Sequence, residues 1–445
     1  MLALRALLVR NPDFRRLFLS SVVSLAGDWF SFVAVAGLVT ELTGRPGAAA
    51  YVYAATVLPV FLASPIAGAV ADRFDRKRVL IIADLARVPV ALLLCAAAWW
   101  GSVPLAVAAI IALGVGASFY DPIASAATPN VVAPEDLASA QALMGAVWGS
   151  MLMVGAGLGG VVAELLGRQA AFTIDAASFL LSAWLVAGIR TPLQEAAPAQ
   201  RDVSDNPTRL VDRLAGEDAG RASTEEIAAR GLTAGGGALR EVFRFIRATP
   251  IVSRLLFAKV GVCSANGIVG LLPAFAHARF AGTGIATGLL FAARGFGALI
   301  GPLFARGAAG ATPTRRAIVL VCGVSTLSYC AVYAVFPLAH AFAAALVLVV
   351  LAHMGGGAQW SLSTYGLQRE TPDHLRGRVM AIDYGLATLF IGLSSIVAGL
   401  LADELGEASA TRWLAIAGGL YGTVWLVWSL GATREGAPAT RRPEG

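Results

Sequence analysis

Four ionisable residues interrupt long apolar runs of the sequence: Asp28, Asp175, Arg294 and His353. An ionisable group inside a bilayer is costly, so each of them needs a partner or a water-filled cavity. A carboxylate in that position can carry a proton or bind a cation, while a guanidinium can tune that carboxylate or bind an anion. These four residues are therefore our candidates for proton coupling or substrate binding.

A structural role competes with the functional one for each of these residues. Asp28 stands eleven residues into its apolar run, which places it roughly 16 Å along a helix, close to the bilayer midplane. Arg294 is comparably central in its run, and the two can brace a helix bundle as members of ion pairs. A lone histidine such as His353 is more often a hydrogen-bonded packing residue than a proton relay.

The composition requires a membrane. Of the 445 residues, 57% are hydrophobic and 14% are charged, against about 25% charged in soluble proteins, and the mean hydropathy is +0.71. A soluble fold cannot bury so much apolar surface, so the excess faces lipid. The formal charge of +6 is distributed between apolar runs and forms no basic groove, which argues against a nucleic-acid partner.

The sequence shows no pattern typical of an enzyme. It has no phosphate-binding loop, no cluster of His and Cys with metal-ligand spacing, and no convincing pair of nucleophile and base. We therefore expect a non-enzymatic protein without a cofactor or a metal site.

A helix needs about 20 apolar residues to cross the hydrocarbon core, and the sequence contains twelve such runs. The predicted spans, numbered one to twelve, cover 17–42, 49–71, 79–100, 103–121, 139–165, 170–189, 251–275, 285–305, 316–336, 339–361, 378–402 and 411–431. They divide into an N-terminal half, 1–190, and a C-terminal half, 250–431.

Two segments lack the apolar pattern. Segment 191–249 is rich in small and charged residues and is predicted to be a cytoplasmic linker. Its end, Leu239 to Arg247, has helical amphipathic spacing, which is typical of a helix on the membrane surface. The tail 432–445 is predicted to be disordered.

The two halves resemble each other. Pro134 to Leu137, before span five, recurs as Pro372 to Leu375, before span eleven. Ala163 to Gly167 recurs as Ala402 to Gly406, and both offsets are 238 to 239 residues. The sequence therefore predicts a duplicated bundle, as found in many secondary transporters.

The basic residues predict the orientation. With both termini inside, the inner segments hold 27 Lys and Arg and the outer loops hold four, which follows the positive-inside rule. Arginine outnumbers lysine 32 to 2, as in proteins encoded by GC-rich bacterial genomes. We expect a multi-pass protein of the bacterial inner membrane with cytoplasmic termini.

The most specific motif is Gly68-Ala-Val-Ala-Asp72-Arg73-Phe74-Asp75-Arg76-Lys77-Arg78, between spans two and three. The basic residues fit an ordinary cytoplasmic loop. The Gly and the Asp need another reason, because four residues of spacing put a gap and a carboxylate on one helix face, where another helix can approach.

The chain here resembles the major facilitator superfamily. The superfamily signature G-x-x-x-D-R/K-x-G-R-R/K is matched at Gly68, Asp72, Arg73, Arg76 and Lys77, with Asp75 in place of Gly. Further motifs resemble the drug:proton antiporter branch of macrolide and enterobactin exporters: Asn11 to Arg15, Gly27-Asp28-Trp29, Asp84-Leu-Ala-Arg87, Ile174 to Phe179 and Arg376-Gly377-Arg378. The resemblance implies an all-α membrane protein, a monomer with twelve transmembrane helices in two pseudo-symmetric six-helix halves.

The resemblance also implies a cytoplasmic gate. In the family the signature Asp, here Asp72, lies near the start of helix eleven, where the positive end of the helix dipole attracts a carboxylate. Asp84 and Arg87 share a helix face and are interpreted as a structural or gating pair. The charged residues expected in this gate network are Asp72, Asp84, Arg87, Arg376, Arg378 and Asp383.

Span five carries Gly155, Gly159 and Gly160, which match the antiporter signature G-x-x-x-G-P-x-x-G-G with Ala156 in place of Pro. Helix packing through small residues explains the same pattern. Four aromatic residues are candidates for lining a drug-sized cavity, since such pockets are largely apolar, although membrane-interface belts use the same residue types. They are Trp29, Phe30, Trp148 and Trp360.

We therefore expect a secondary active transporter that exports a small, partly hydrophobic, drug-like molecule by alternating access in exchange for protons. Its expected partners are that substrate, protons and the lipid bilayer. The alternatives are a siderophore exporter or lysophospholipid transporter of the same fold, an uncoupled facilitator, and a membrane sensor or scaffold that transports nothing. A basic cavity favours the siderophore, and an apolar lateral opening favours the lipid.

Overall fold

A computed structural model describes residues 2–194, 240–280, 284–310 and 312–433. Within these ranges every element of regular structure is helical. Eleven of the helices are long and apolar enough to cross a membrane, and a twelfth, Ala48–Arg73, contains the shorter apolar stretch Ala48–Ala63. The prediction of an all-α membrane fold is confirmed.

The spans begin and end as follows. Spans one to six are the helices Pro12–Thr43, Ala48–Arg73, Arg76–Trp100, Val103–Val131, Leu137–Leu165 and Arg168–Ala187. Span seven consists of three pieces, Pro250–Leu256, Ala258–Ala265 and Gly267–Arg279. Spans eight to twelve are Gly284–Ala309, Arg315–Val335, Phe342–Glu370, Asp373–Leu405 and Glu407–Ala432.

Two short helices accompany the spans. The helix Leu2–Arg10 precedes span one and was not predicted from the sequence. Residues 240–248 are helical, with Val242 buried against the C-terminal half; the predicted helix start at Leu239 lies outside the described residues. Most of the predicted linker, 195–239, and the tail, 434–445, also lie outside them, so the domain boundaries stay predictions.

We call the end of the bundle at which span one begins the proximal end, and the opposite end the distal end. Span four ends at Val131 rather than at 121, and span ten ends at Glu370 rather than at 361. Both extensions lie at the proximal end. There the helix continues beyond the apolar run that defines the span.

Local sequence sets where the helices begin and end. Asn11 caps span one by accepting a hydrogen bond from the backbone N–H of Phe14 at 2.9 Å. Gly44 ends the same span with a φ of 63°, a left-handed conformation that glycine adopts without steric cost.

The two halves meet over the distal part of the bundle. Span five packs against span eight, and span two packs against span eleven. The main apolar core contains residues of all twelve spans, most of them distal. The proximal ends have two separate cores, one in the N-terminal half and one in the C-terminal half. The halves therefore share their packing distally and separate proximally.

Candidate functional site

Arg87 of span three lies at the centre of a buried polar cluster in the N-terminal half. Its Nη2 donates to Asp84 Oδ1 at 2.6 Å and to Ser24 Oγ at 2.8 Å. Its Nη1 donates to Asp28 Oδ2 of span one at 3.3 Å. The guanidinium carbon lies 4.1 Å from the ring centroid of Phe179. One guanidinium thus joins a carboxylate of its own helix to one of span one.

Asp175 of span six belongs to the same cluster. Its Oδ2 accepts a hydrogen bond from Ser31 Oγ of span one. A Cβ atom on Gly27 would overlap Ser178 Oγ and Asp175 Oδ1, so glycine at this position allows spans one and six to come this close. The motifs around Asp28, Arg87 and Asp175, noted separately in the sequence, therefore converge.

Asp121 of span four is a member of this cluster that the sequence analysis missed. Its side chain is exposed, and its charge interacts with those of Arg87 and Asp84. The apolar run of span four ends at Asp121, which suggested an ordinary solvated position at a helix end. The sequence signal for a longer helix was the stretch from Asp121 to Val131, whose small residues allow the helix to continue.

The cluster has more carboxylates than cations. Among the described residues, Asp28 and Asp84 are hydrogen-bonded to Arg87, and Asp121 and Asp175 interact with it through their charges alone. The Asp28 side chain is 26% exposed, whereas those of Asp84 and Arg87 are 0% and 2% exposed. Because Asp28 stands at the middle of a 32-residue helix, its exposed part lies far from both ends of that helix. The excess carboxylates can take up protons or hold a cation.

Arg294 of span eight does not pair with Asp28. Its Nη2 donates to the Tyr53 hydroxyl of span two at 3.0 Å, and its guanidinium carbon lies 5.5 Å from the Trp148 ring centroid of span five. Arg294 is therefore held between residues of the other half. His353 lies on span ten, where its Nε2 is 2.9 Å from the Tyr333 hydroxyl.

Lys259 and Asp383 form a second buried charged pair, in the C-terminal half. Lys259 Nζ contacts Asp383 Oδ2 directly and donates to Thr364 Oγ1 at 2.9 Å. It also lies 4.8 Å from the ring centroid of Trp360, a predicted cavity aromatic. Both charges are 2% exposed, so this pair joins spans seven, ten and eleven of one half. Asp383 is thus held by a partner within its own half.

The basic residues of that loop bind the N-terminal half itself. Arg76 Nη1 donates to the carbonyl oxygen of Ala126 at 2.9 Å, and Lys77 Nζ donates to that of Ile189 at 2.7 Å. Asp75 caps span three by accepting from the backbone N–H of Arg78 at 2.8 Å. Arg73 is exposed. The predicted positions Gly68 and Asp72 fall in span two, but their side chains lie outside the described residues.

The two basic residues predicted at the start of span eleven have partners in the C-terminal half. Arg376 Nε donates to the carbonyl oxygen of Gln368 at 3.1 Å, near the end of span ten. Arg378 Nη1 lies 3.8 Å from Glu241 Oε2 of the 240–248 helix, and both side chains are about half exposed. These contacts tie the proximal ends of this half together.

The glycines of span five allow close helix contacts on two sides. A Cβ on Gly159 would lie 2.8 Å from Cα of Phe30, and one on Gly155 would lie 3.3 Å from Cβ of Trp29, both on span one. A Cβ on Gly160 would overlap the backbone of Gly284 on span eight. Two predicted cavity aromatics, Trp29 and Phe30, are therefore largely covered, each 9% exposed, whereas Trp148 is 47% exposed.

The distal ends of the halves are joined by two similar contacts. Asp403, at the end of span eleven, accepts from the backbone N–H of Gly47 at 3.0 Å, where span two begins. Glu164, at the end of span five, accepts from the backbone N–H of Gly284 at 2.8 Å, where span eight begins. Both acidic residues lie in the motif that recurs in the sequence. We call this pair of contacts the distal clasp.

Asp403 accepts more hydrogen bonds in the distal clasp than Glu164 does. Its Oδ2 also accepts from Arg45 Nη2 at 2.6 Å and from the Tyr51 hydroxyl at 3.0 Å. Asp403 and Glu164 stand at the ends of their spans, where solvation is the ordinary expectation for a carboxylate, and neither was among the predicted site residues. The recurring motif was the signal that could have identified them, because a carboxylate beside a helix N-terminus is favourable.

Comparison with known proteins identifies the family. The sequence profile of the Major Facilitator Superfamily matches residues 17–382. The chain belongs to the Major Facilitator Superfamily. Its members are transporters, and a POT family transporter in complex with 5-aminolevulinic acid superposes with a TM-score of 0.67 at 12% identity, over 95% of this chain and 97% of that one.

Two curated relatives match this superfamily member over different shares of its length. The multidrug efflux pump Tap of Mycolicibacterium fortuitum is 29% identical over 89% of this chain and 90% of that protein. The uncharacterized MFS-type transporter YkuC of Bacillus subtilis strain 168 is 26% identical, over 42% of this chain and 44% of its own length. The match with YkuC thus spans less than half of that relative.

Proposed function

We propose that this major facilitator exports small, partly hydrophobic cations in exchange for protons. The observation that carries the proposal is the cluster around Arg87, in which Asp28 and Asp84 contact one guanidinium and the charges of Asp121 and Asp175 also interact with it. Efflux as the direction is supported by the similarity to Tap over most of both chains.

Asp28 is the proposed exchange site. It is the partly exposed partner of Arg87, at 3.3 Å, while Asp84 holds the same guanidinium at 2.6 Å from the buried side. A proton or a cationic substrate on Asp28 replaces Arg87 as its counter-charge, and Arg87 stays paired with Asp84. Because one carboxylate cannot hold a proton and a cation together, the two ligands alternate.

Asp175 and Asp121 enlarge the negative charge that faces this exchange. Asp175 is fixed by Ser31, and Asp121 lies on span four with an exposed side chain. Proton return is favourable in a polarised membrane, since one charge crossing 100 mV contributes about 2.3 kcal/mol. That energy can support uphill export.

The proposed location is the bacterial inner membrane, with the proximal end in the cytoplasm as the positive-inside count predicts. The separate proximal cores and the shared distal core support a state open to the cytoplasm, in which an exporter loads its substrate. In alternating access, the distal clasp then opens and the proximal loop motif around Asp72 closes against span eleven.

The experiment uses purified protein in liposomes that contain a pH-sensitive dye, with an imposed pH gradient. Macrolides, cationic dyes and catecholate siderophores are added in turn to wild type and to Asp28→Asn. We expect proton flux with the cationic compounds and at least a tenfold loss in the variant. The matched control is Glu404→Gln, which removes one exposed carboxylate outside the cluster.

Three results would contradict parts of this proposal. Flux that persists in Asp28→Asn would move the exchange to another carboxylate, with Asp175 tested next. Substrate movement without proton flux would indicate a facilitator. Flux with siderophores alone would reject the cationic substrate.

A further inference from the structure

Arg294 carries a buried positive charge with most of its donors unused. Its side chain is 4% exposed, and Nη2 donates to Tyr53 at 3.0 Å. Nε and Nη1 are buried and have no hydrogen-bond partner among the described residues. Buried polar groups are almost always satisfied, so such an exception calls for an unseen partner.

The surroundings of Arg294 do not neutralise it. The groups that pack around it are aromatic or hydroxylic, and within the described part of the chain no carboxylate lies within salt-bridge distance. His353 shares a hydrogen bond with the Tyr333 hydroxyl at 2.9 Å. A histidine is neutral or positive, so it supplies no negative charge to Arg294. Lys259, the other buried cation of this half, is already paired with Asp383. An anionic group would satisfy both the free donors and the uncompensated charge of Arg294.

Arg294 also lies between the two halves of the bundle. It belongs to the C-terminal half, whereas Tyr53 and Trp148, which flank it, belong to the N-terminal half. Phe291, one helical turn away on span eight, has its ring centroid 5.9 Å from that of Trp29, the residue that follows Asp28. Span one, which carries Asp28, thus contacts span eight within one helical turn of Arg294.

We propose that Arg294 binds a carboxylate of the transported molecule, so that the preferred substrates are zwitterionic. Their cationic part lies at Asp28, and their carboxylate accepts hydrogen bonds from the free N–H groups of the Arg294 guanidinium, a charge-assisted pairing. This inference rests on the proposed function, since it extends the cation site to a second contact.

The test uses two dyes that differ at one group. Rhodamine 19 carries a free carboxylate beside its cationic xanthene, and rhodamine 6G is its ethyl ester. Binding is measured by fluorescence anisotropy in phosphatidylcholine nanodiscs, with empty nanodiscs subtracted, for wild type, Arg294→Gln and Arg294→Lys. Asp28→Asn is measured in parallel as the test of the cation site.

We expect Arg294→Gln to raise the Kd of rhodamine 19 by about tenfold and to leave that of rhodamine 6G within twofold. Arg294→Lys should keep part of the preference for the acid, because it retains the charge without the planar fork. Equal weakening of both dyes would assign Arg294 a structural role and overturn the proposal. No change with either dye, or a wild type that does not prefer the acid, would also overturn it.

The two proposals fail differently in this experiment. Rhodamine 6G binding that survives Asp28→Asn would contradict the proposed cation site, whatever happens at Arg294. A normal loss in Asp28→Asn without any acid preference would contradict the carboxylate site alone.

Discussion

The distal clasp makes a quantitative prediction about how the two halves separate. Asp403 links span eleven to three groups of the other half, namely Arg45, the backbone N–H of Gly47 and Tyr51. The substitution Asp403→Asn keeps the size of the side chain and removes its charge. We expect it to shift the bundle toward a distally open state.

The size of that shift follows from the contacts. Arg45 is 61% exposed, and an exposed ion pair contributes only about 0.2–1 kcal/mol. Hydrogen bonds to a charged acceptor contribute about 1.5–3 kcal/mol, against about 0.5–1.5 kcal/mol for neutral ones. The charge also interacts with the N-terminus of span two, for about 0.3–1 kcal/mol. With about 1 kcal/mol lost at each of the two hydrogen bonds from Gly47 and Tyr51, we expect a total loss of about 2.5–4 kcal/mol, which is roughly a 70- to 900-fold change in the equilibrium.

Amide hydrogen exchange read by mass spectrometry measures this opening without labels. The reporters are peptides that cover the first turns of spans two and eight, near Gly47 and Gly284. Exchange there should accelerate about tenfold or more in Asp403→Asn. Glu404→Gln is the matched control, because it removes the neighbouring exposed charge.

Glu164→Gln tests whether the two contacts of the clasp belong to one closure. If they do, this variant accelerates exchange at Gly47 as well as at its own partner Gly284. The reasoning is refuted if Asp403→Asn exchanges like the Glu404→Gln control. It is also refuted if each variant affects only its own contact, since the halves would then not open as units.

Three further predictions concern packing and buried charge. Arg87→Lys should lower stability by about 2–4 kcal/mol, because an ammonium lacks the planar fork with which Arg87 reaches Asp84 and Asp28, and broken buried pairs cost about 3–5 kcal/mol. A scan of thermal unfolding in detergent measures this loss. Gly160→Val should speed distal exchange as Asp403→Asn does, because its side chain would overlap the backbone of span eight. Lys259→Met alone should destabilise the protein more than Lys259→Met with Asp383→Leu, because the single change leaves a buried carboxylate unpaired. A double-mutant cycle that finds the same loss of stability in the single and the double variant would contradict this.

The fold was predictable from the sequence because a bilayer imposes a simple rule. A segment that crosses hydrocarbon must be apolar and must satisfy its own backbone, so each span is visible as one run. The rule fails where the helix leaves the hydrocarbon, as at Val131 and Glu370. It also says nothing about breaks inside a run, such as the one at Asn266 in span seven, which separates two helical pieces.

The sequence predicted which residues belong to the candidate site better than it predicted which of them contact each other. Asp28, Arg87 and Asp175 stand out because charge in an apolar run is rare. Which charges meet depends on how helices rotate and pack, and the sequence does not give that. Arg87 therefore joins Asp28 in the structure, although it was grouped with the proximal gate. Asp121 was missed because the apolar run ends at that residue.

The internal duplication explains why the two halves make similar contacts at their distal ends. At the centre of the bundle the charged residues differ between the halves. The recurring acidic motif places Asp403 and Glu164 at equivalent helix ends, where each meets the N-terminus of a helix in the other half. The centre has lost this equivalence, since the N-terminal half presents excess carboxylates around Asp28 and the C-terminal half presents Arg294. Distal closure uses the same contact on both sides of the symmetry axis, whereas the zwitterionic substrate proposed above needs a carboxylate from one half and a guanidinium from the other. Such a molecule can pair with both halves at once.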